Sequence, residues 1–421
     1  LIGVSIATTA VLVAGPLSAS AVGIANPVCP QARANVGIPI VTANALDPDD
    51  HAVHVTIDSG SLPAGVELKG LARVTPYTFS GTPTKAGTSN FVVKAQFEDA
   101  EPIKVSCTIV VGELPTPSRT AGADRYEQAA KVSAGEFMQS DTVYVASGEK
   151  FADALSAGSV AGVKKAPLLL TPAATLPAVT VNEIVRLKPK NVVVVGGEAS
   201  ISKLVVDGIT ENLKSAGSTA KVTRIAGADR YEGSRLLIEN AEFGVPSTTW
   251  SYVADGRNFP DALAATPPAT KDGGAVLLVD GGKAAVSDAE MALLDGQGVT
   301  QIVIAGGVNS VSDGIKASLE ADKKFGVTRI AGATRYDGAV ELNKHAFTEE
   351  ETAYLASGAL FPDALSAGPV AGKTSSPIYL VEQNCVPTSV LDDLARVKAK
   401  KIVVLGGVNT LGADVAALKP C

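Results

Sequence analysis

Six arginines in an acidic chain carry the first chemical signal. Residues Arg119–Glu127 read RTAGADRYE, Arg224–Glu232 read RIAGADRYE, and Arg329–Asp337 read RIAGATRYD. Arg125, Arg230 and Arg335 are spaced 105 residues apart, with Arg119, Arg224 and Arg329 six residues ahead of them. A guanidinium offers a bidentate fork to a carboxylate or phosphate. Two uses are open. The arginines could face an anionic ligand. Alternatively, each could meet the Asp of a nearby helix (Asp153, Asp261 or Asp363) and fix its first helix to the end of its first strand. A buried charge needs a partner, so at least one such contact is required.

Two further motifs recur. Apolar runs end in paired glycines at Gly196 and Gly197, Gly306 and Gly307, and Gly406 and Gly407. Such pairs let backbone N–H groups approach a ligand, and a following helix N-terminus favours an anion. The structural alternative is a tight turn, with Ser202 and Ser312 capping the next helix. A dinucleotide fingerprint needs GxGxxG after a first strand; GGxx(S/T) after a last strand does not supply it. The third motif is SGEKFADAL, DGRNFPDAL and SGALFPDAL. Pro260 and Pro362 suit a first helical turn, and Asp153, Asp261 and Asp363 then complement the helix dipole. Phe151, Phe259 and Phe361 are expected as core or hydrophobic-staple residues. Ser147 and Ser357 follow strands, but the second copy has Asp255 and no GxSxG is present. With His51, His54 and His345 as the whole histidine complement, neither a serine triad nor a zinc centre is assembled. No catalytic residue, metal ligand or cofactor is assigned.

These motifs must be held by elements. Each repeat has three short buried-type apolar runs separated by helical stretches, which argues for parallel strands in βαβ units. The expected fold is multidomain: a small β-sandwich, then three tandem α/β repeats with Rossmann- or flavodoxin-like parallel sheets. The boundaries are 27–113, a Pro-rich linker 114–118, and repeats 119–222, 223–327 and 328–421. The RxAG segment is extended and could pair in its own repeat or in the preceding one.

A net charge of −7 argues against wholesale nucleic-acid binding, so an anionic ligand needs local basic groups. The uncharged run at 4–15 reads as part of a signal peptide, residues 1–25. No later segment reaches the roughly 20 apolar residues of a membrane span. Four cysteines fit an exported chain with two disulfides. Cys29 and Cys107 bracket the first domain, and Cys385 and Cys421 lie in the last repeat.

The segment LPAGVELKG followed by FSGTPTKAGTSNFVVKA resembles the immunoglobulin-like domains of bacterial surface proteins. A Cys29–Cys107 bridge would tie its first strand to its last. The ordered set RxAGxxRY, (A/D)(S/D)GxxFxDAL and strand–GG, three times over in 119–421, resembles the cell wall binding repeat 2 family. That resemblance implies an exported protein of a Gram-positive bacterium. It also implies three copies about a pseudo-threefold axis, held non-covalently to an anionic wall polysaccharide or teichoic-acid-like polymer.

The six arginines and six paired glycines are then the expected polymer contacts, and the Ig-like module serves display or a protein partner. The rivals are a wall hydrolase of the amidase type, its non-catalytic modifier subunit, or a secreted adhesin. The repeats differ in detail, Thr334 standing where Asp124 and Asp229 do, so three equal sites are not expected.

Overall fold

The computed structural model describes residues 29–30, 33–37, 39–43, 52–69, 77–97 and 101–421. The expected signal peptide and His51 lie outside the described residues.

The N-terminal part is all β. Its strands are β1 (Arg33–Asn35), β2 (Ile40–Ala43), β3 (Ala52–Gly60), β4 (Val66–Lys69), β5 (Thr78–Gly81), β6 (Gly87–Phe97) and β7 (Ile103–Gly112). They form a four-stranded sheet, β1-β7-β6-β3, and a three-stranded sheet, β2-β5-β4. The pairs β3/β6, β2/β5 and β4/β5 are antiparallel, while β1 runs parallel to β7. Alternation buries Phe91, Val93 and Ala95 along β6, as a half-buried strand requires. Phe79 of one sheet packs 5.9 Å from Phe91 of the other, with Tyr77 edge-on to Phe79 at 6.1 Å. This aromatic cluster is the core between the two sheets. Cys29 and Cys107 are disulfide-bonded, joining the chain ahead of β1 to β7.

The three repeats follow. The first contributes β8 (Ser118–Thr120), α1 (Arg125–Glu136), β9 (Thr142–Ser147), α2 (Phe151–Val163), β10 (Leu168–Thr171), α3 (Ala178–Leu187), β11 (Asn191–Val195) and α4 (Lys203–Ser215). The second contributes β12 (Lys221–Ile225), α5 (Arg230–Glu239), β13 (Trp250–Asp255), α6 (Pro260–Lys271), β14 (Ala275–Val279), α7 (Asp288–Gln297), β15 (Gln301–Ala305) and α8 (Asp313–Ala321). The third contributes β16 (Gly326–Ile330), α9 (Arg335–Ala346), β17 (Thr352–Ser357), α10 (Pro362–Leu365), α11 (Ala367–Thr374), β18 (Ile378–Val381), α12 (Thr388–Arg396), β19 (Lys401–Leu405) and α13 (Ala413–Ala416).

Each sheet takes its fourth strand from another repeat. The orders are β10-β9-β11-β12, β14-β13-β15-β16 and β18-β17-β19-β8, all parallel. The RxAG strand therefore pairs with the preceding repeat, and that of repeat 1 closes the ring onto repeat 3. Expected boundaries at 222/223 and 327/328 cut through β12 and β16, because those strands belong by sequence to one repeat and by hydrogen bonding to its neighbour. The inner strands are mostly apolar and buried from their second residue onward, as sheets covered on both faces demand.

Helices α2, α6 and α11 pack against one another at the centre. Small residues at four-residue spacing permit this close approach. A Cβ on Gly162 would lie 2.7 Å from Thr270 Oγ1, and one on Gly368 would lie 2.8 Å from Thr266 Cγ2. Phe151, Phe259 and Phe361 meet pairwise at 6.1, 5.7 and 5.8 Å. That triangle, one ring from each repeat, marks the pseudo-threefold axis. At the other end of the same helices, cations close the ring again. Lys164 Nζ donates to the Glu242 carbonyl, Lys271 lies over Phe347, and Lys373 lies over Phe137. One hydrophobic core runs through all three repeats. Cys385 and Cys421 are disulfide-bonded within the third.

Candidate functional site

The three sequence motifs converge on one face, the carboxyl ends of the parallel strands. In each sheet β9, β13 or β17 is flanked on one side by the next strand of its repeat (β10, β14 or β18) and on the other by the one after that (β11, β15 or β19). The order thus reverses beside β9, β13 and β17, the place where open α/β sheets form their ligand crevices. The SGxxF and GG loops flank that point. The RxAG segment of the next repeat completes the rim.

Arg119, Arg224 and Arg329 are clamps. Each leaves its strand and donates to carbonyls of the GG loop in the neighbouring repeat. Arg224 reaches Gly196 O at 2.5 Å and Ile201 O at 2.7 Å. Arg329 reaches Gly306 O at 2.9 Å and Val311 O at 2.8 Å, and Arg119 reaches Gly406 O at 2.7 Å and Gly412 O at 3.2 Å. Charge-assisted bonds of this kind are the stronger class.

Arg125, Arg230 and Arg335 open helices α1, α5 and α9. Each donates Nη1 to the carbonyl of the glycine that follows β9, β13 or β17: Gly148 O at 2.5 Å, Gly256 O at 2.6 Å and Gly358 O at 2.6 Å. Each guanidinium also lies over a phenylalanine of the preceding repeat. Arg125 sits 6.0 Å from the Phe361 ring centre, Arg230 sits 5.6 Å from Phe151, and Arg335 sits 6.0 Å from Phe259. The internal clamp from first helix to first strand is present, but its acceptor is a carbonyl. The expected Arg–Asp pairing is corrected: among the described residues, none of these arginines forms an ion pair with Asp153, Asp261 or Asp363.

Those aspartates turn to their own GG loops. Asp153 bonds the Ser200 hydroxyl, Asp261 bonds Ser310, and Asp363 bonds Thr410. Burial raises all three above the ordinary value of 3.8. The hydroxyl bond and the charges of Arg230, Arg335 and Arg125 respectively draw them partly back.

The paired glycines have different duties. Gly196, Gly306 and Gly406 have φ of +114°, +107° and +112°, and a Cβ there would overlap the Asp carboxylate. A Cβ on Gly197 or Gly407 would meet nothing within 4 Å, and one on Gly307 only Ala331 Cβ at 4.0 Å. Ser200 and Ile201 donate back to Gly197 O, closing the turn. Among the described residues, the N–H groups of Gly197, Glu198 and Ala199 have no protein acceptor. Ser202 and Ser312 cap α4 and α8, as expected.

The rest of RxAGxxRY is helix-start chemistry. Asp124 and Asp229 each accept from two N–H groups of α1 and α5, while Thr334 caps α9. A Cβ on Gly122 would run into the backbone of the first helical turn.

The seams between repeats differ. A cleft of about 440 Å³ lies between repeats 1 and 2, lined by Lys150, Asp153, Gly197, Ser200, Arg230 and Phe361 among others. At the corresponding loop positions the third repeat has Leu360 and Val408, 52% and 66% exposed. In the second repeat Arg257 is tied to Asp255 at 2.9 Å. Among the described residues, no group of three or more His, Cys, Asp or Glu is placed to hold a metal.

Three parallel-sheet units closed head to tail, with one rim motif repeated at every seam, define a tandem-repeat module. Residues 119–206, 224–316 and 329–416 match the model of Cell wall binding domain 2 (CWB2), and the chain belongs to that family. It is 26% identical over 298 residues to N-acetylmuramoyl-L-alanine amidase LytC of Bacillus subtilis (strain 168), and 31% identical over 297 residues to the Amidase enhancer of the same strain. These matches cover 71% and 70% of this chain, but only 57% and 39% of those proteins. In fold it is similar to Cwp6 from Clostridium difficile, with a TM-score of 0.66 and 20% identity over 92% of this chain and 66% of that one. Cwp8 from the same organism gives 0.63 and 23%, over 79% and 59%.

Sequence recurrence thus located the motif residues. It did not show that Arg119, Arg224 and Arg329 cross between repeats, nor that the phenylalanines stack beneath the other arginines. Phe151, Phe259 and Phe361 recur as faithfully as the arginines; pairing the two sets required knowing the strand exchange.

Proposed function

We propose that the chain is an exported surface protein that binds an anionic wall polymer of a Gram-positive bacterium through the strand-end face of its three repeats. One observation carries this reading. At each seam an accessible guanidinium stands beside a GG loop, and in the first loop three successive N–H groups have no protein acceptor. Arg125, Arg230 and Arg335 each commit one nitrogen to a glycine carbonyl and keep further donors for an anion. Arg119, Arg224 and Arg329, with Gly196, Gly306 and Gly406, hold the loops in place, and Gly197, Gly307 and Gly407 let polymer approach. Weak sites on one rigid body combine as avidity. The β-rich N-terminal part serves as an Ig-like display or interaction module. The test is retention of the full chain on purified walls before and after extraction of anionic polymer. Loss of retention on extraction is expected; equal retention on stripped walls would overturn the reading.

A second reading, a non-catalytic modifier of a wall amidase, is favoured by the similarity to the Amidase enhancer. It predicts that the chain speeds peptidoglycan clearing by an added amidase. An unchanged clearing rate would remove it.

A further inference from the structure

Repeat 2 departs from its neighbours at one place away from the strand-end face. In repeats 1 and 3 an arginine bridges two helices on the outer side of the sheet. Arg186 on α3 pairs with buried Glu183 at 2.6 Å and donates to Phe137 O at the end of α1 at 2.6 Å. Arg396 on α12 pairs with buried Asp393 at 2.5 Å and donates to Phe347 O at the end of α9 at 2.7 Å. Counting back from the strand starts Asn191, Gln301 and Lys401, the corresponding residues of repeat 2 are Leu293 and Gly296. Both acid and arginine are missing there.

A second change accompanies the first. The sixth residue of α1 is buried Ala130 and that of α9 is buried Val340, but that of α5 is Arg235. Among the described residues, Arg235 has no hydrogen bond or ion pair. A cleft of about 490 Å³ opens where the bridging arginine would lie, walled by Arg235, Leu236, Glu239, Pro246 and Leu293. Arg235 also lines an adjoining cleft of about 680 Å³, with Asp280 and Lys283. A half-buried guanidinium without a partner is the kind of group that a ligand completes.

We propose that this cleft is a second binding site, special to repeat 2, for a short zwitterionic peptide of small aliphatic residues. The chemistry follows from the walls. Arg235 takes the carboxylate through its bidentate fork. Leu236, Leu293 and Pro246 take the aliphatic body. Glu239, with no partner among the described residues, takes the ammonium. A simple anion is disfavoured, because Glu232 and Glu239 outnumber Arg235 in the cleft.

The probes are L-Ala-L-Ala, D-Ala-D-Ala and the uncharged N-acetyl-dialanine amide, titrated calorimetrically into the full chain. At least one dipeptide is expected to bind, and the capped amide at least tenfold more weakly. Preference for the D form would mark a free dipeptide derived from the wall as the source, and preference for the L form a free dipeptide derived from protein. Arg235→Ala, which installs the residue of repeat 1, is expected to weaken binding at least tenfold. The double change Leu293→Glu and Gly296→Arg, which rebuilds the bridge, should close the site. Thermal midpoint and wall retention report that both variants fold. Equal binding by Arg235→Ala, equal binding of the capped amide, or no binding of either dipeptide would each overturn the proposal.

Discussion

At the residue scale, the two arginines of each motif do different work. Arg224 is half-buried and makes two bonds that hold a loop of the neighbouring repeat. Arg224→Ala leaves those carbonyls without a donor and is expected to cost about 3 kcal/mol, at roughly 1.5–3 kcal/mol for a bond to a charged group. Chemical denaturation checks this, and a loss within experimental error would refute the clamp. The aspartates give a pH signature. Asp261 binds its proton more readily folded than unfolded. Its contribution to stability therefore falls as pH rises from 3.8 through its raised folded value. Wild type should gain on Asp261→Asn as pH drops from about 7 to about 4, followed by thermal midpoints of both proteins. A constant difference would show that burial does not perturb the carboxyl. The recurrence of these residues was legible in the sequence. Their partners were not, because one Asp per repeat matched one Arg in number while the real acceptors were carbonyls, which leave no mark in a sequence.

At the element scale, apolar runs alternating with helices declared parallel sheets, and Pro260, Pro362, Ser202 and Ser312 marked helix starts where they occur. The sequence does not specify the exchange of the RxAG strand. Extended character says that a segment will pair, and hydrogen bonding in the fold decides with which neighbour. Ser118–Thr120 shows the limit: it has little strand character, yet closes the ring onto β19. The central helices carry their own test. Gly162→Val would drive a branched side chain into Thr270, and overpacking of this kind costs about 1–3 kcal/mol. Gly135, exposed on α1 with nothing within 4 Å of a Cβ, gives the control. Gly135→Ala should stabilise by about 0.5–1 kcal/mol. Equal effects at the two positions would contradict the close packing of α2 and α6.

At the scale of the whole molecule, three repeats share sheets, a phenylalanine triangle and one core, so the rim sites are fixed relative to one another. Fixed spacing is what lets weak contacts act together on a repeating polymer. Because the arginines also clamp the fold, replacing them confounds binding with stability. The second glycines escape that difficulty: none has a positive φ, a Cβ on Gly197 or Gly407 meets nothing within 4 Å, and one on Gly307 meets only Ala331 Cβ at 4.0 Å. The decisive measurement is retention on purified walls of the full chain carrying Gly197→Asp, Gly307→Asp and Gly407→Asp together, with thermal unfolding in parallel. The account predicts a midpoint close to wild type and a loss of most wall retention, since three carboxylates would stand where the proposed function puts the polymer's anions. A folded triple variant retained as well as wild type would contradict it.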